Sequence, residues 1–271
     1  MPGVTVFGAG GFVGARLSAH AEAQGRQVRR VTRDTWPETG ADLGECIFAI
    51  GMTASFRRFP LQTAETQIVR LWEVLTRYRF ASLLYLSSTR VYRDATSTAE
   101  EATLLLRPNI ADDIYNATKL AGESLCLALD QPQVRVARLS NVYGASDRSE
   151  LFLTDVMREA VLTGKVTLRS APASAKDYIF VDDAVAQLAA ISARGHQRLY
   201  NVAAGINVNN AELAGILKAQ GVAVAFAPGA ADIGFPQIDT QRARHEFGLV
   251  PRAVAAILPE IFATLQRDLM Q

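Results

Sequence analysis

The run Val4-Thr5-Val6-Phe7-Gly8-Ala9-Gly10-Gly11-Phe12-Val13-Gly14 constrains this chain most. A short apolar, β-branched stretch meets a glycine cluster, and a helical pattern follows through Leu17 and Ala21. That order reads as strand, tight turn and helix. Glycine at 8, 11 and 14 has a steric explanation. One position turns the chain sharply, one lets a pyrophosphate approach bare backbone, and one lets the helix pack close to the strand. The helix N-terminus then offers unpaired N–H groups and a partial positive charge to phosphates. Glycine-rich turns also occur where nothing binds. Its place directly after the first strand is what marks this one as a dinucleotide site, with Gly8, Gly10, Gly11, Phe12, Val13 and Gly14 as the expected contacts.

The rest of the chain alternates in the same manner. Phe12 to Ala23 reads as a helix ended near Gly25, and Gln27 to Thr32 as a second strand. Further strands are expected at Cys46–Ile50, Ser82–Leu86, Val134–Arg138 and Leu199–Val202. Helices are expected at Thr63–Tyr78, Ile114–Leu129, Phe152–Thr163 and from Asp182-Asp183 to Ala193, with Asp112 or Asp113 placed to cap the second of these. After Leu139 the alternation weakens. Val166–Leu168 and Val222–Phe226 read as short strands, Asp177–Val181 as extended, and Ala211–Gln220, Thr240–Phe247 and Ala253–Leu269 as helices. This pattern predicts an α/β fold, a doubly wound, mostly parallel Rossmann sheet covered on both faces. One departure stands out. Only Thr35 to Glu45 separates the second strand from the third, whereas a full strand-plus-helix unit needs about thirty residues. One β-α step is therefore reduced to a loop, and the adenine pocket that this step usually builds is put in question.

Composition closes off other classes. The chain has 271 residues, 49% hydrophobic and 20% charged, which is ample for a packed core. A net charge of +1 gives no support for a nucleic-acid partner or an acidic membrane surface. The two cysteines, Cys46 and Cys126, lie in apolar runs and read as core thiols, and three scattered histidines form no metal constellation. No apolar run approaches a membrane span, and the first strand begins too early for a signal peptide. A cytoplasmic chain with a small-molecule substrate is the expectation.

Tyr115 and Lys119 are four apart on a predicted helix and share one face. A phenol near an ammonium is a general acid/base pair, because a positive charge favours the phenolate and lowers a titration that otherwise sits near ~10. Ser88 stands where a buried strand runs out, the expected place for a catalytic group in an open α/β sheet. Its hydroxyl is suited to hydrogen-bond a substrate carbonyl while Tyr115 transfers the proton. Each residue also has an ordinary explanation: such Tyr/Lys pairs occur on many helices, and strand-end serines satisfy backbone groups. At the end of the second strand, Thr32-Arg33 replaces the acidic residue that accepts from the ribose 2′-OH of NAD. An arginine there pairs with a 2′-phosphate, which favours NADP(H), while neighbouring Asp34 leaves NAD open. Gly51 ends the third strand and is expected to line the cofactor cleft. Arg57 and Arg58 read as a solvated loop.

Several motifs follow one another in a telling order. Gly8-x-x-Gly11-x-x-Gly14 is followed by Leu86-Ser87-Ser88-Thr89-Arg90-Val91-Tyr92, then by Tyr115-Asn116-Ala117-Thr118-Lys119 with Glu123. Arg138-x-x-Asn141-Val142-Tyr143-Gly144 comes next, then Lys176-Asp177-Tyr178-Ile179-Phe180-Val181-Asp182-Asp183, Tyr200-Asn201-Val202 and Phe247-Gly248-x-x-Pro251. Together they resemble the extended short-chain dehydrogenase/reductase family, in its branch of NAD(P)-dependent nucleotide-sugar epimerases, dehydratases and reductases. The resemblance covers nearly the whole chain. It implies a dinucleotide-binding part over residues 1–144 plus 181–206 and a small substrate-binding lobe over 145–180 plus 207–271.

The same resemblance implies roles for individual residues. Ser88 falls at the catalytic Ser/Thr position, and Tyr115 and Lys119 match the catalytic pair, with Lys119 also holding the nicotinamide ribose. Thr89 and Asn141 fall among the substrate contacts. Lys176 stands where epimerases often carry an arginine for the diphosphate, a point charge in place of a fork. Two departures matter. Family 4,6-dehydratases follow their catalytic Thr with Asp-Glu, and Thr89-Arg90 here supplies no such acid/base pair, so dehydration is not expected. Gln67 stands where Asn is usual. The resulting expectation is an NADP(H)-dependent oxidoreductase moving hydride between nicotinamide C4 and a carbon of a nucleotide sugar or keto-sugar. A 4-epimerase with tightly bound NAD is the alternative within the branch, and a catalytically silent dinucleotide-binding sensor the alternative outside it. A homodimer is expected through helices Thr63–Tyr78 and Ile114–Leu129, with Leu125, Leu127 and Leu129 supplying apolar surface.

Overall fold

The strand Val4–Phe7 is buried along its whole length, and its side chains alternate between two cores. Val4 and Val6 point into one hydrophobic cluster and Phe7 into another. This is the arrangement of a parallel strand covered on both faces. The computed structural model describes residues 3–52, 55–146 and 151–269. In chain order the elements are β1 (Val4–Phe7), α1 (Phe12–Ala23), β2 (Val28–Val31), β3 (Glu45–Phe48), α2 (Pro60–Ala64), a π-helical turn (Glu65–Val69) and α3 (Arg70–Arg77). They continue with β4 (Ser82–Ser88), a 3-10 turn (Thr89–Tyr92), α4 (Asp113–Leu127), β5 (Val134–Leu139), β6 (Asn141–Tyr143), α5 (Phe152–Thr163), β7 (Lys165–Ser170) and β8 (Ala175–Phe180). The last are α6 (Val181–Arg194), β9 (Leu199–Val202), β10 (Asn207–Asn209), α7 (Asn210–Ala219), β11 (Ala223–Ala231), α8 (Gln241–Phe247) and α9 (Val254–Leu269). Residues 147–150, within the segment assigned to the C-terminal lobe, lie outside the described residues.

The central sheet has six parallel strands in the order β2-β1-β3-β4-β5-β9. Leu84 and Leu86 of β4 join Val4 and Val6 against α1 and α6, while Leu83 and Tyr85 join Phe7 and Phe48 against α3 and α4. This is the doubly wound Rossmann sheet expected from the alternation. A third cluster, with Met157, Leu213, Leu217, Ile257 and Phe262, packs the C-terminal helices against β7 and β8. It stands beside two small sheets, β10-β8-β6 and β11-β7. The three-residue strands β6 and β10 were not expected, because so few residues carry no readable periodicity.

The shortened step after β2 is real, and other groups fill its place. β2 is the edge of the sheet and pairs with β1 alone. The chain then crosses directly to β3 on the other side of β1. Along this crossing Trp36 packs its ring in a T-shaped contact with Phe7 at 5.0 Å, and the Arg70 guanidinium lies over the Trp36 ring, 5.2 Å from its centre. Leu43 is buried, and the Leu43 carbonyl accepts from Thr5 Oγ1 at 2.7 Å. The Tyr78 hydroxyl donates to the Pro37 carbonyl at 2.8 Å, and Gly40 N to the Arg77 carbonyl at 2.9 Å. One aromatic plug and a few backbone bonds thus cover the sheet where a helix would lie. Trp36→Ala should therefore destabilise the protein by about 2 kcal/mol, less than a fully buried aromatic because Trp36 is half-buried. Urea unfolding checks this, and an unchanged midpoint would show that the crossing carries no core.

Candidate active site

β1 has β2 on one side and β3 on the other, so the strand order reverses there, and a crevice opens at the carboxyl ends of the strands. A cleft of about 850 Å³ occupies this position. It is lined by the segments that leave β1 (Gly11, Phe12, Val13, Gly14), β3 (Ala49, Ile50, Gly51, Met52), β4 (Ser87, Ser88, Thr89, Arg90) and β5 (Leu139, Ser140, Asn141, Val142). The turn into α1 is as tight as steric reasoning requires. A Cβ on Gly14 would lie 2.2 Å from the Gly8 carbonyl oxygen, and Gly8 itself has φ +82° with a Cβ position 2.9 Å from the Ala49 carbonyl oxygen. No side chain caps α1, so its first N–H groups open towards the cleft. Gly8, Gly10 and Thr32 stand off the cleft wall. Gly8 shapes the turn, Gly10 is exposed, and Thr32 closes a local turn in which its N–H donates to Thr35 Oγ1 at 2.8 Å.

Ser88, Tyr115 and Lys119 converge on this cleft. Tyr115 and Lys119 are buried one turn apart on α4, and the Lys119 Nζ donates to the Leu86 carbonyl at 2.9 Å. That nitrogen lies 5.9 Å from the centre of the Tyr115 ring, and a side chain at Gly51 would begin 3.5 Å from it. Burial lowers the Lys119 ammonium to about 8, opposed by the negative charge of Glu123 one turn further on. Ser88 caps the 3-10 turn by accepting from Arg90 N at 3.2 Å and also reaches the Tyr115 phenol. The lowered phenol anticipated for Tyr115 is not what the structure gives. Its hydroxyl is pushed above the usual tyrosine range, because burial outweighs the opposing hydrogen bond of Ser88 and charge of Arg90. The helper cation there is Arg90, not Lys119.

The frame behind these groups is a buried network. Arg138 on β5 grips Glu123 of α4 with Nη2 at 2.6 Å and Nε at 3.0 Å, and Ser87 donates to the same carboxylate at 2.5 Å. Arg138 also donates to the Tyr92 hydroxyl at 2.7 Å, which in turn donates to Asn201 Oδ1 at 2.8 Å. The motif residues that showed no chemistry in the sequence are thus the struts that fix β4, β5, β9 and α4 around the cleft. Gln67 sits fully buried in the π-helical turn, and its Oε1 accepts from Thr118 Oγ1 at 3.1 Å. Asp177 accepts from the backbone N–H groups of Ala204, Gly205 and Ile206 and so anchors the strand that carries Lys176. Asn141 lines the cleft and donates to the Asp177 carbonyl at 2.8 Å.

Two expectations need correcting. Asp112 does not cap α4 with its side chain. Both its oxygens are taken by Arg57 at 2.5 and 2.6 Å, so Arg57, exposed and in a loop as expected, is also ion-paired at the rim of the cleft. Leu127 and Leu129 are half-buried against the core beside Val134 and Val136, so only part of their apolar surface is open to a partner. The exposed apolar surface nearby belongs to Phe59, Leu61, Val69 and Trp72.

Sequence reasoning passed over the electrostatics of the cleft. Arg33, Arg57, Arg90, Lys119 and Lys176 line it, and among the described residues no aspartate or glutamate does. A chain of net charge +1 has gathered five cations around one crevice. Such a site suits a ligand of several negative charges. The signal was present in Arg90 and Arg57, but neither has a spacing that distinguishes a cleft arginine from a surface one. Among the described residues no helix is long and apolar enough to cross a membrane.

Comparison with known proteins agrees with this geometry. A sequence profile described as the NAD dependent epimerase/dehydratase family matches residues 60–203. The matched segment contains Ser88, Tyr115, Lys119, Asn141 and Lys176 and leaves out the glycine turn. A dTDP-glucose 4,6-dehydratase from Streptomyces griseus is 31% identical over 154 residues, which is 54% of this chain and 45% of that protein. The match thus spans about half the length of this relative. Among solved structures, RMD from Pseudomonas aeruginosa complexed with NADPH has a TM-score of 0.78 at 21% identity, covering 97% of this chain and 99% of that one. MoeE5 in complex with UDP-glucose and NAD has a TM-score of 0.78 at 22% identity, covering 98% and 99%. At these identities the likeness is one of fold.

The buried Lys119 gives a pH signature. Its ammonium titrates at about 8 in the folded protein against an ordinary 10.5. Between those values the unfolded chain holds a proton that the folded chain has released, so stability rises as the pH rises through that window. Relative to Lys119→Met, the native protein should gain on the order of 3 kcal/mol between pH 8 and 10.5. Urea unfolding of both across that range measures it. Parallel curves would contradict a desolvated ammonium at this position.

Proposed function

This chain belongs to the NAD dependent epimerase/dehydratase family, and we propose that it is an NADP(H)-dependent oxidoreductase that reduces a keto-sugar, or oxidises the corresponding hydroxyl, on a nucleotide sugar. The observation that carries the reading is the meeting of Ser88, Tyr115 and Lys119 in the cleft that the N-terminus of α1 also faces. The residues present fit a dinucleotide. Gly14 leaves α1 against the turn at a distance that any side chain would fill, and the first N–H groups of α1 are uncapped. Gly11, Phe12, Val13 and Gly14 would hold the pyrophosphate, Lys119 and Gly51 would flank the nicotinamide ribose, and Arg33 would meet a 2′-phosphate. Among the described residues Arg33 makes no ion pair or hydrogen bond and lines the cleft, which favours NADP(H) over NAD. When bound, the cofactor supplies or accepts the hydride.

The chain's own residues handle the proton and the charge. Tyr115 Oη gives its proton to the substrate oxygen in reduction and takes it back in oxidation. Ser88 Oγ donates a hydrogen bond to that oxygen and steadies the developing alkoxide. Lys119 is cationic at neutral pH and is placed for the nicotinamide ribose, while the positive charge that favours the Tyr115 phenolate comes from Arg90. Lys176 and Asn141, which also line the cleft, are placed for the diphosphate and the sugar. Dehydration is not proposed, although a relative is named as a 4,6-dehydratase. An elimination needs an acid and a base beyond Tyr115, and the positions after Ser88 carry Thr89 and Arg90, which supply neither.

Tyr115→Phe tests this directly. Turnover of a keto-sugar nucleotide should fall by about 10³-fold or more, while NADPH binding, read by fluorescence titration, should stay within about threefold of native and tighter than NADH. Unchanged turnover would overturn the enzymatic reading in favour of a sensor. We also propose a homodimer, through the face of the α2–α3 stretch that exposes Leu61, Val69 and Trp72. Light scattering at micromolar concentration should give twice the 29.3 kDa chain mass, and Trp72→Glu should return it to one. A native monomer would contradict this.

A further inference from the structure

Of the five cleft cations, four have a partner in hand or a place under the reading above. Arg33 is assigned the 2′-phosphate, Lys119 the nicotinamide ribose and Lys176 the substrate diphosphate, while Arg57 is paired with Asp112. Arg90 is left over. Its backbone N–H bonds Ser88 Oγ at 3.2 Å, so its side chain leaves the chain beside the reacting position. Its guanidinium lies 5.3 Å from the centre of the Phe56 ring, which packs at 5.2 Å against the Tyr115 ring. Its Nε is buried with no hydrogen-bond partner among the described residues. The carboxylate it faces, Asp112 at 3.6 Å, already gives both oxygens to Arg57. Burial and the nearby charges of Arg93 and Arg57 pull Arg90 below its ordinary titration against the opposing charges of Asp112 and Tyr115, and burial, with the charge of Arg90 behind it, lowers Lys176. Asp112 thus compensates Arg90 only in part, and a half-buried guanidinium in this condition has donors left for a second anion.

The chemistry of that anion follows from shape and place. A guanidinium is a planar fork of donors whose best match is a planar pair of oxygens. The substrate's diphosphate is assigned to Lys176, so the group that Arg90 meets belongs to the sugar itself. We propose that Arg90 binds a carboxylate carried by the sugar, next to the carbon that Tyr115 and Ser88 serve, and that the preferred substrate is a nucleotide-linked sugar acid and not a neutral hexose. The inference rests on the nucleotide-sugar reading above. It makes Arg90 the residue that sets specificity.

Calorimetric titration of the NADP⁺-loaded protein decides it, with glucose and glucuronic acid compared as matched pairs on uridine diphosphate and on thymidine diphosphate. In at least one pair the acid should bind about tenfold or more tighter than the neutral sugar. Arg90→Gln should bring that ratio to about two or less, and Arg90→Lys, which keeps the charge without the fork, should hold an intermediate ratio. Equal binding of acid and neutral sugar would overturn the carboxylate assignment while leaving the nucleotide-sugar reading in place. No binding by any member of either pair would overturn both. A preference for the acid that survives both substitutions would remove Arg90 from the recognition. A loss of turnover shared equally by acid and neutral sugars, with the binding ratio unmoved, would give Arg90 to the carbonyl oxygen and end the proposal.

Discussion

A side chain on residue 14 would begin 2.2 Å from the carbonyl oxygen of Gly8, inside any possible contact distance. That single prohibition lets α1 lie against the end of β1 and turns its first N–H groups towards the crevice. The position of the crevice is set independently by strand order, since β2 and β3 flank β1 on opposite sides. The segments leaving β3, β4 and β5 must then open onto the same space as the helix N-terminus. Ser88 reaches the cleft because β4 ends there, and Lys119 reaches it because α4 packs back on β4 with its amine on the Leu86 carbonyl. The proposed chemistry depends on this backbone geometry before it depends on any side chain.

The polar groups behind the site hold that geometry at some cost. Arg138 and Glu123 are both nearly inaccessible to water, and together with Ser87, Tyr92 and Asn201 they satisfy one another. Removing one member of such a pair leaves a buried charge without a partner, which makes the arrangement rigid and intolerant of change. The cleft itself obeys a looser rule. Five cations line it and one carboxylate, Asp112, stands behind two of them, so positive charge stays in excess there. Frame and cleft divide the electrostatics between them: full compensation inside the wall, and partial compensation at its surface.

Much of the fold could be read from the residues. The boundaries of α1, α5 and β9 coincide with the expected Phe12–Ala23, Phe152–Thr163 and Leu199–Val202, because apolar periodicity and terminal glycines are local signals. The reduced step after β2 was visible as a chain too short for a helix, but nothing local announced Trp36 as its substitute. That role exists only once the fold brings Phe7 and Arg70 against it. The same limit explains Asp112, which suits a helix cap by type and position yet is drawn away by Arg57, a residue distant in sequence. Tyr115 shows a third kind of miss. Its spacing to Lys119 was plain, but the balance between burial and nearby charge is a property of the packed protein. Leu127 and Leu129 were legible as apolar and not as inward-facing.

In the proposed enzyme, one crevice holds the dinucleotide on the N-terminus of α1 and delivers its nicotinamide to Tyr115, Lys119 and Ser88. A crystal structure of the protein with NADP⁺ would reveal whether it does. The pyrophosphate should lie on the backbone N–H groups of Gly11 to Gly14, with the nicotinamide ribose within about 3.2 Å of the Lys119 amine. The reacting face of the ring should be turned towards Tyr115. A dinucleotide bound elsewhere, or one whose nicotinamide points away from Tyr115, would contradict the proposal.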